Sequence, residues 1–204
     1  DLQAAREALE RAVADDPRDL ASWINLGAVC GEGGDTEAAF RALRSALSLD
    51  PDSVAAESNL ALVERDAGQL VAARNRLRSV MGRDPSNPWL RYHLGHTLFL
   101  SGQFAEAAEA YREGLSLDPL KTGTQVARLA WALAGAGDHS RARLELRGAL
   151  DRVGPDEAQS VLDEAAEVVE GLVALVPESR KELDLLLGIV REWAHNPGRS
   201  PAST

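Results

Sequence analysis

Cysteine is nearly missing from this chain. Cys30 is the only one in 204 residues, which excludes an internal disulfide framework and a zinc site built on thiolates. Lysine is almost as scarce, with Lys121 and Lys181 the only two, so arginine carries the basic charge. Positive charge is short overall. The formal net charge of −10 argues against nucleic acid as a partner, because phosphate binding needs a basic surface. Long hydrophobic runs are absent as well. No apolar stretch approaches the roughly 18 residues that a membrane helix needs, and no basic-then-apolar leader opens the chain, so no membrane insertion is expected. The compartment stays open, because the chain begins at Asp1 and an upstream signal could have been removed.

What is present is ordinary for a folded protein: 45% hydrophobic and 26% charged residues. The acid is concentrated near the end, where 155–195 hold ten Asp/Glu against Arg180, Lys181 and Arg191, a net of −7. Abundant alanine and glycine with arginine in place of lysine fit a GC-rich bacterial coding bias. The decisive feature is periodicity. Pro17, Pro51, Pro85 and Pro119 stand 34 residues apart, each behind an aspartate (Asp16, Asp50, Asp84, Asp118). Gly34, Gly68 and Gly102 keep the same step of 34, and Gly137 follows after 35. Ala39, Ala73, Ala107 and Ala142 recur in step, as do Leu26, Leu60, Leu94 and Leu129. Several sets sharing one period mark a repeat architecture.

Each landmark has a physical task. Proline removes a backbone donor and disfavours helix in the residue before it, so Asp-Pro separates one repeat from the next. The mid-repeat glycine lets the chain turn between two antiparallel helices. Asp35 and Asp138, which follow that glycine, are suited to cap the second helix. Apolar residues returning every three or four positions predict helix pairs at 20–32/36–49, 53–66/70–83, 87–100/104–117 and 121–135/139–152, with a lone helix at 2–15. Past Gly154-Pro155 the period fails. Two amphipathic helices are expected at 156–176 and 178–195, before Asn196-Pro197-Gly198 ends the order and 199–204 form a tail.

The repeat resembles the tetratricopeptide (TPR) family. Its pattern is met by Trp23, Leu26-Gly27, Ala39, Ala46 and Pro51, with Cys30 and Leu43 in place of two aromatics. The third repeat matches at Leu94-Gly95, Ala107, Tyr111 and Pro119. The second carries Glu57 at the tryptophan place and Ala61 for glycine, and the fourth has an extra residue in Leu120-Lys121-Thr122-Gly123. The resemblance implies an all-α, right-handed α-α superhelix, that is a TPR solenoid, with C-terminal capping helices. Residues 1–17 would be the second helix of a truncated unit, 18–154 four TPR units, 155–195 the caps and 196–204 a flexible tail. A solenoid needs its last apolar face covered.

In that family the first helix of each pair lines a concave groove, and the resemblance places the partner contacts there. One row reads Asn25, Asn59, His93 and Arg128. An asparagine at this place in the glycosyltransferase-associated branch grips a peptide backbone, which an amide can do as donor and acceptor. Trp89, Tyr92, His93 and His96 follow at helical spacing, and Trp131 aligns with His96. Amphipathic aromatics of this kind are favoured at binding surfaces. Arg65 and Arg128 remain as groove cations, but the basic clamp used by chaperone-binding members is not formed, since Ala21, Ile24, Ala55 and Ser58 stand at its places. His93 and His96 lack a third ligand with recognisable spacing, so no metal is expected. Gly31-Glu32-Gly33-Gly34 has neither a preceding strand nor a following Gly-Lys-Ser/Thr and reads as the inter-helix turn. No catalytic set stands out. The expectation is therefore a scaffold or adaptor that binds a partner peptide or protein in its groove, with no cofactor, no enzymatic activity and an open oligomeric state. Two alternatives stay beside it: the substrate-recruiting arm of a larger enzyme, and a cell-envelope or pilus assembly factor.

Overall fold

In the computed structural model, residues 1–119, 123–151 and 158–195 are described. The extra residue near Lys121, the Gly154-Pro155 break, and the end at Asn196-Pro197-Gly198 with its tail lie outside them. The elements, in order, are α1 (Leu2–Asp15), α2 (Leu20–Glu32), α3 (Thr36–Leu49), α4 (Val54–Asp66), α5 (Leu70–Arg83), α6 (Pro88–Leu100), α7 (Phe104–Leu117), α8 (Gly123–Gly135), α9 (His139–Leu150), α10 (Ala158–Leu175) and α11 (Arg180–His195). A short 3-10 turn, Pro177–Ser179, leads into α11. No strand occurs among the described residues. Helix ends that lie among the described residues fall within two residues of the spans that periodicity predicts, while the expected starts at 121 and 156 and the expected end at 152 lie outside them. The fold is an all-α TPR solenoid.

The turns follow from residue chemistry. Gly34, Gly68, Gly102 and Gly137 sit at φ of 78°, 75°, 71° and 84°, a left-handed region that only glycine enters at little cost. Past each glycine the next amide reaches back five residues to close the helix. Asp35 N–H donates to Cys30 O at 2.9 Å, and Gln69, Gln103 and Asp138 repeat the bond to Glu64, Leu98 and Leu133. Asp35 and Asp138 then cap α3 and α9, accepting from Ala38 N–H at 3.0 Å and Arg141 N–H at 3.2 Å. Gln69 and Gln103, one methylene longer, make no such bond. At the repeat boundary Asp16 and Asp50 accept from the amides of Arg18 and Asp52, two residues on, which holds the Asp-Pro turn.

The chain divides into two compact units, Asp1–Thr97 and Leu98–Thr204, with the division inside α6. In the first, the core gathers Leu26, Cys30, Ala39, Ala42, Leu43, Leu60 and Val63, all buried. Close approach is made possible by small residues: a Cβ added at Gly27 would lie 2.5 Å from Leu43 Cγ. The Trp23 ring N–H donates to Pro17 O at 3.0 Å and ties α2 to the turn before it. In the second unit, α7 packs on α8 and α8 on α9, with α10 against α8 and α11 against α9. Arg143 and Glu182 approach to 4.0 Å near the starts of α9 and α11. Farther along, Leu150 and Val190 line one small cavity. The two helices therefore run the same way, and α10–α11 continue the alternation of the pairs before them although the period in sequence has failed.

Two glycine substitutions should part in sign. Gly27→Ala drives a methyl into Leu43 and should destabilise by about 1–3 kcal/mol. Gly188→Ala, on an α11 surface with nothing within 4 Å of the new carbon, should stabilise by up to ~1 kcal/mol. Denaturant midpoints of both variants check this, and equal shifts would disprove the packing account.

The caps also set an acid response. The Ala38 amide and then Arg6 hold the Asp35 carboxyl below its usual range, and Ser22 does the same for Asp19. A carboxyl lowered in the folded state stabilises above its unfolded value of about 3.9, and that stability is lost as pH falls through the folded value. Asp35→Asn keeps a capping oxygen but has no proton to gain. Its melting temperature should fall less steeply below about pH 4 than that of the unaltered chain; parallel curves would refute this.

Candidate functional site

The first helices of the N-terminal unit present one face to solvent. On α2 that face carries exposed Ala21 and Asn25 with half-exposed Ile24 and Ala28; on α4 it carries exposed Ala55 with half-exposed Ser58, Asn59 and Leu62. Helices α2 and α4 are in contact, and Asn25 and Asn59 hold the same register one repeat apart. The face is thus a shallow apolar floor with amides along it. Arg65, at its edge, has a side chain only 13% exposed and is held by the Asp66 carboxylate, with Nε at 2.8 Å and the nearer terminal nitrogen at 2.7 Å.

Helix α6 adds the aromatic element. Trp89 is 55% exposed, the largest apolar side chain left in water among the described residues. Its ring meets Tyr92 edge to face, with centroids 5.8 Å apart and planes at 79°. Tyr92 itself is 1% exposed. It supports the tryptophan from below rather than facing a partner, a correction to the sequence-based expectation. His93 and His96 are half-buried on the same helix. The Thr97 hydroxyl, fully buried, donates to His93 O at 2.8 Å.

The remaining expected residues lie in the other unit. Arg128 is half-exposed and approaches Glu164 of α10 at 3.5 Å. Trp131 is 4% exposed, beneath Val161 and Ala165 of α10 and beside Leu146. This is a second correction. The ring is core, because α10 covers the face of α8 that the repeat register alone leaves open. Asn25, Asn59, Arg65, Trp89, His93 and His96 thus share the first unit, while Arg128 and Trp131 belong to the second.

Periodicity did not foresee the polar interior of the second repeat. Glu64 is buried at the place where Cys30 stands one repeat earlier, and Arg76 of α5 grips it with two bonds, 3.0 Å and 2.7 Å. Glu64 in turn raises the hold of Arg76 on its proton. Glu57, at the tryptophan place, pairs with Arg83, which also donates to Asp52 O at 3.0 Å. That contact takes over the tie that Trp23 makes in the repeat before. The signal was available: two acids at positions of apolar consensus, with two arginines on the facing helix. Cys30 is buried, and that burial pushes its thiol up, so it is a packing residue with little thiolate. Among the described residues no three His, Cys, Asp or Glu side chains come together as a metal site, and no helix is long and apolar enough to cross a membrane.

In comparison with known families, residues 1–124 match the TPR domain of cytochrome c-type biogenesis protein H. The chain belongs to that family. No curated protein matches the chain. Among solved structures, a crystal structure of MamA superposes with a TM-score of 0.64 at 22% identity, covering 74% of this chain and 88% of that one. MamA from Desulfovibrio magneticus RS-1 gives 0.64 at 20% identity, over 72% and 83%. MamA from strain AMB-1 gives 0.62 at 25% identity, over 72% and 87%. These likenesses establish the fold. Family and fold together make this TPR domain a protein-interaction scaffold in the general sense.

The two tryptophans should respond in opposite ways. Trp131→Ala empties a packed site and should cost about 3–5 kcal/mol of stability. Trp89→Ala, on the surface, should change stability by no more than about 0.5 kcal/mol. Thermal melts of the two variants check the assignment; a silent Trp131→Ala would return that residue to the surface.

Proposed function

We propose that this TPR domain binds a segment of a partner polypeptide along the first helices of its N-terminal unit, with Trp89 as the anchor. The observation that supports this is the exposed Trp89 ring, set edge-on against buried Tyr92. An indole so held buries a large area on contact and loses little rotamer freedom, the physical character of an interface anchor. Asn25 and Asn59 supply amides for a peptide backbone, Ile24 and Leu62 the apolar floor, and His93 and His96 flank the anchor. Arg128 serves the second unit, beside Glu164. The domain performs no catalysis in this reading and needs no cofactor or metal.

The family description points to the kind of partner: a polypeptide handled in the assembly of c-type cytochromes. It favours the assembly-factor alternative over an arm of a glycosyltransferase. Helices α10 and α11 take the part of a terminal cap, closing the apolar side of α8 and α9 with an acidic outer surface.

The test uses overlapping peptides that cover a c-type apocytochrome, titrated against the chain by intrinsic tryptophan fluorescence and calorimetry. One region should bind at micromolar strength, as suits a flexible segment ordered on a preformed surface. Trp89→Ala should weaken it by tenfold or more, at least about 1.4 kcal/mol, while Asn75→Ala on a second helix should leave it unchanged. Binding that ignores Trp89→Ala but is lost with Asn75→Ala would move the site to the second helices and sink the proposal.

A further inference from the structure

One register of the first repeat is left unfilled. Glu64 and Arg76 meet inside the second repeat, and the residues 34 places before them are Cys30 and Ala42, both short and uncharged. What remains among α1, α2 and α3 is a half-open cavity of about 140 Å³. Trp23, Leu26 and Cys30, on one stripe of α2, line it together with Ala42 of α3, and Arg6, Glu10 and Arg41 bring charge to its lining. Burial keeps the Cys30 thiol protonated, so the inner wall is uncharged. Two walls are held in place and do not fold into the space. The Trp23 ring is tied to Pro17 O at 3.0 Å, and Arg6 is fixed by Asp35 at 2.9 Å and Glu10 at 2.8 Å. Arg41 is held less firmly. It pairs with Glu37 of its own helix, one turn earlier, and both side chains stand mostly in water.

We propose that this cavity binds a small ring-bearing carboxylic acid, its ring against Trp23, Leu26, Cys30 and Ala42 and its carboxylate on Arg41. The size fits, since an apolar cavity of about 150 Å³ takes up benzene. The inner wall offers a pinned indole for ring-on-ring contact and aliphatic groups around it. The charge fits as well, because the lining holds two guanidinium groups and one carboxylate. An exposed ion pair such as Arg41–Glu37 contributes little, so exchanging Glu37 for a ligand costs little, and a guanidinium can grip a carboxylate with two parallel bonds. A cationic ligand would find only Glu10, which already engages Arg6. Asn25 and Ala28 lie on the opposite face of α2, so this site is separate from the polypeptide surface proposed above.

The probe is benzoate, titrated against the full chain by calorimetry, with benzyl alcohol and acetate as controls that lack the charge and the ring. Benzoate should bind with a Kd of roughly 0.1–1 mM, as suits so few atoms. Each control should bind about fivefold more weakly or worse. Cys30 gives an independent readout, because it is the one thiol in the chain. Its modification by methyl methanethiosulfonate, followed by mass spectrometry, should slow saturably with benzoate, half-maximally at the calorimetric Kd. Arg41→Gln, on the surface, should weaken benzoate about fivefold and leave benzyl alcohol unchanged. Ala42→Leu fills the cavity and should abolish binding while circular dichroism keeps its helical signal. Trp89→Ala should leave binding intact, which separates this site from the groove. Absence of saturable Cys30 protection, equal binding of benzyl alcohol, or undiminished affinity in Arg41→Gln or in folded Ala42→Leu would each overturn the proposal.

Discussion

A hydrogen atom is all that fits on the Cα of Gly27, because Leu43 of the paired helix stands where a methyl would be, 2.5 Å from an added Cβ. That contact stands for the constraint on which the fold rests: helices must come within touching distance along their length. Ala39, Ala73, Ala107 and Ala142, each fully buried, keep the same distance at the same register of each repeat. Between successive helices the demand recurs at Gly135, where an added Cβ would meet the Phe104 ring at 2.6 Å. A single helix pair cannot bury both of its faces. Stacking of like pairs supplies the missing contacts, so stability comes from neighbours rather than from any one repeat.

The second repeat shows how far the pattern bends without failing. Acids stand where its neighbours have apolar or aromatic groups, and a buried carboxylate is costly when alone. Arg76 and Arg83 of α5 resolve both cases in place, one with a two-pronged pair to buried Glu64 and the other by rebuilding the tie to the Asp-Pro turn. Such a pair adds little net stability over a well-packed apolar core. It does restrict which second helix can sit against α4. Inward demand also accounts for two of the four arginines of α5.

The solvent-facing side of the first helices in the N-terminal unit has its own chemistry. The first helices offer amides, small apolar side chains and one pre-oriented indole, a neutral surface suited to a backbone and a large apolar residue. The MamA structures show the same architecture on other sequences.

Helix number, helix bounds, turn positions and family were all legible in the sequence. Each depends on local chemistry repeated at one period: proline lacking a donor, glycine free to enter positive φ, aspartate capping an amide. The location of Trp89 on the surface could be read the same way, from its register. Register could not say which aromatics would be covered. Tyr92 and Trp131 look like surface residues in the repeat but are buried, one beneath Trp89 and the other beneath α10. The pairing of α10 with α8 and of α11 with α9 was likewise invisible, since it follows no period and depends on apolar faces meeting in space. Local backbone preferences are written residue by residue and survive in the sequence. Burial, and the ion pairs that accompany it, belong to contacts between distant residues, and only the tertiary structure decides them.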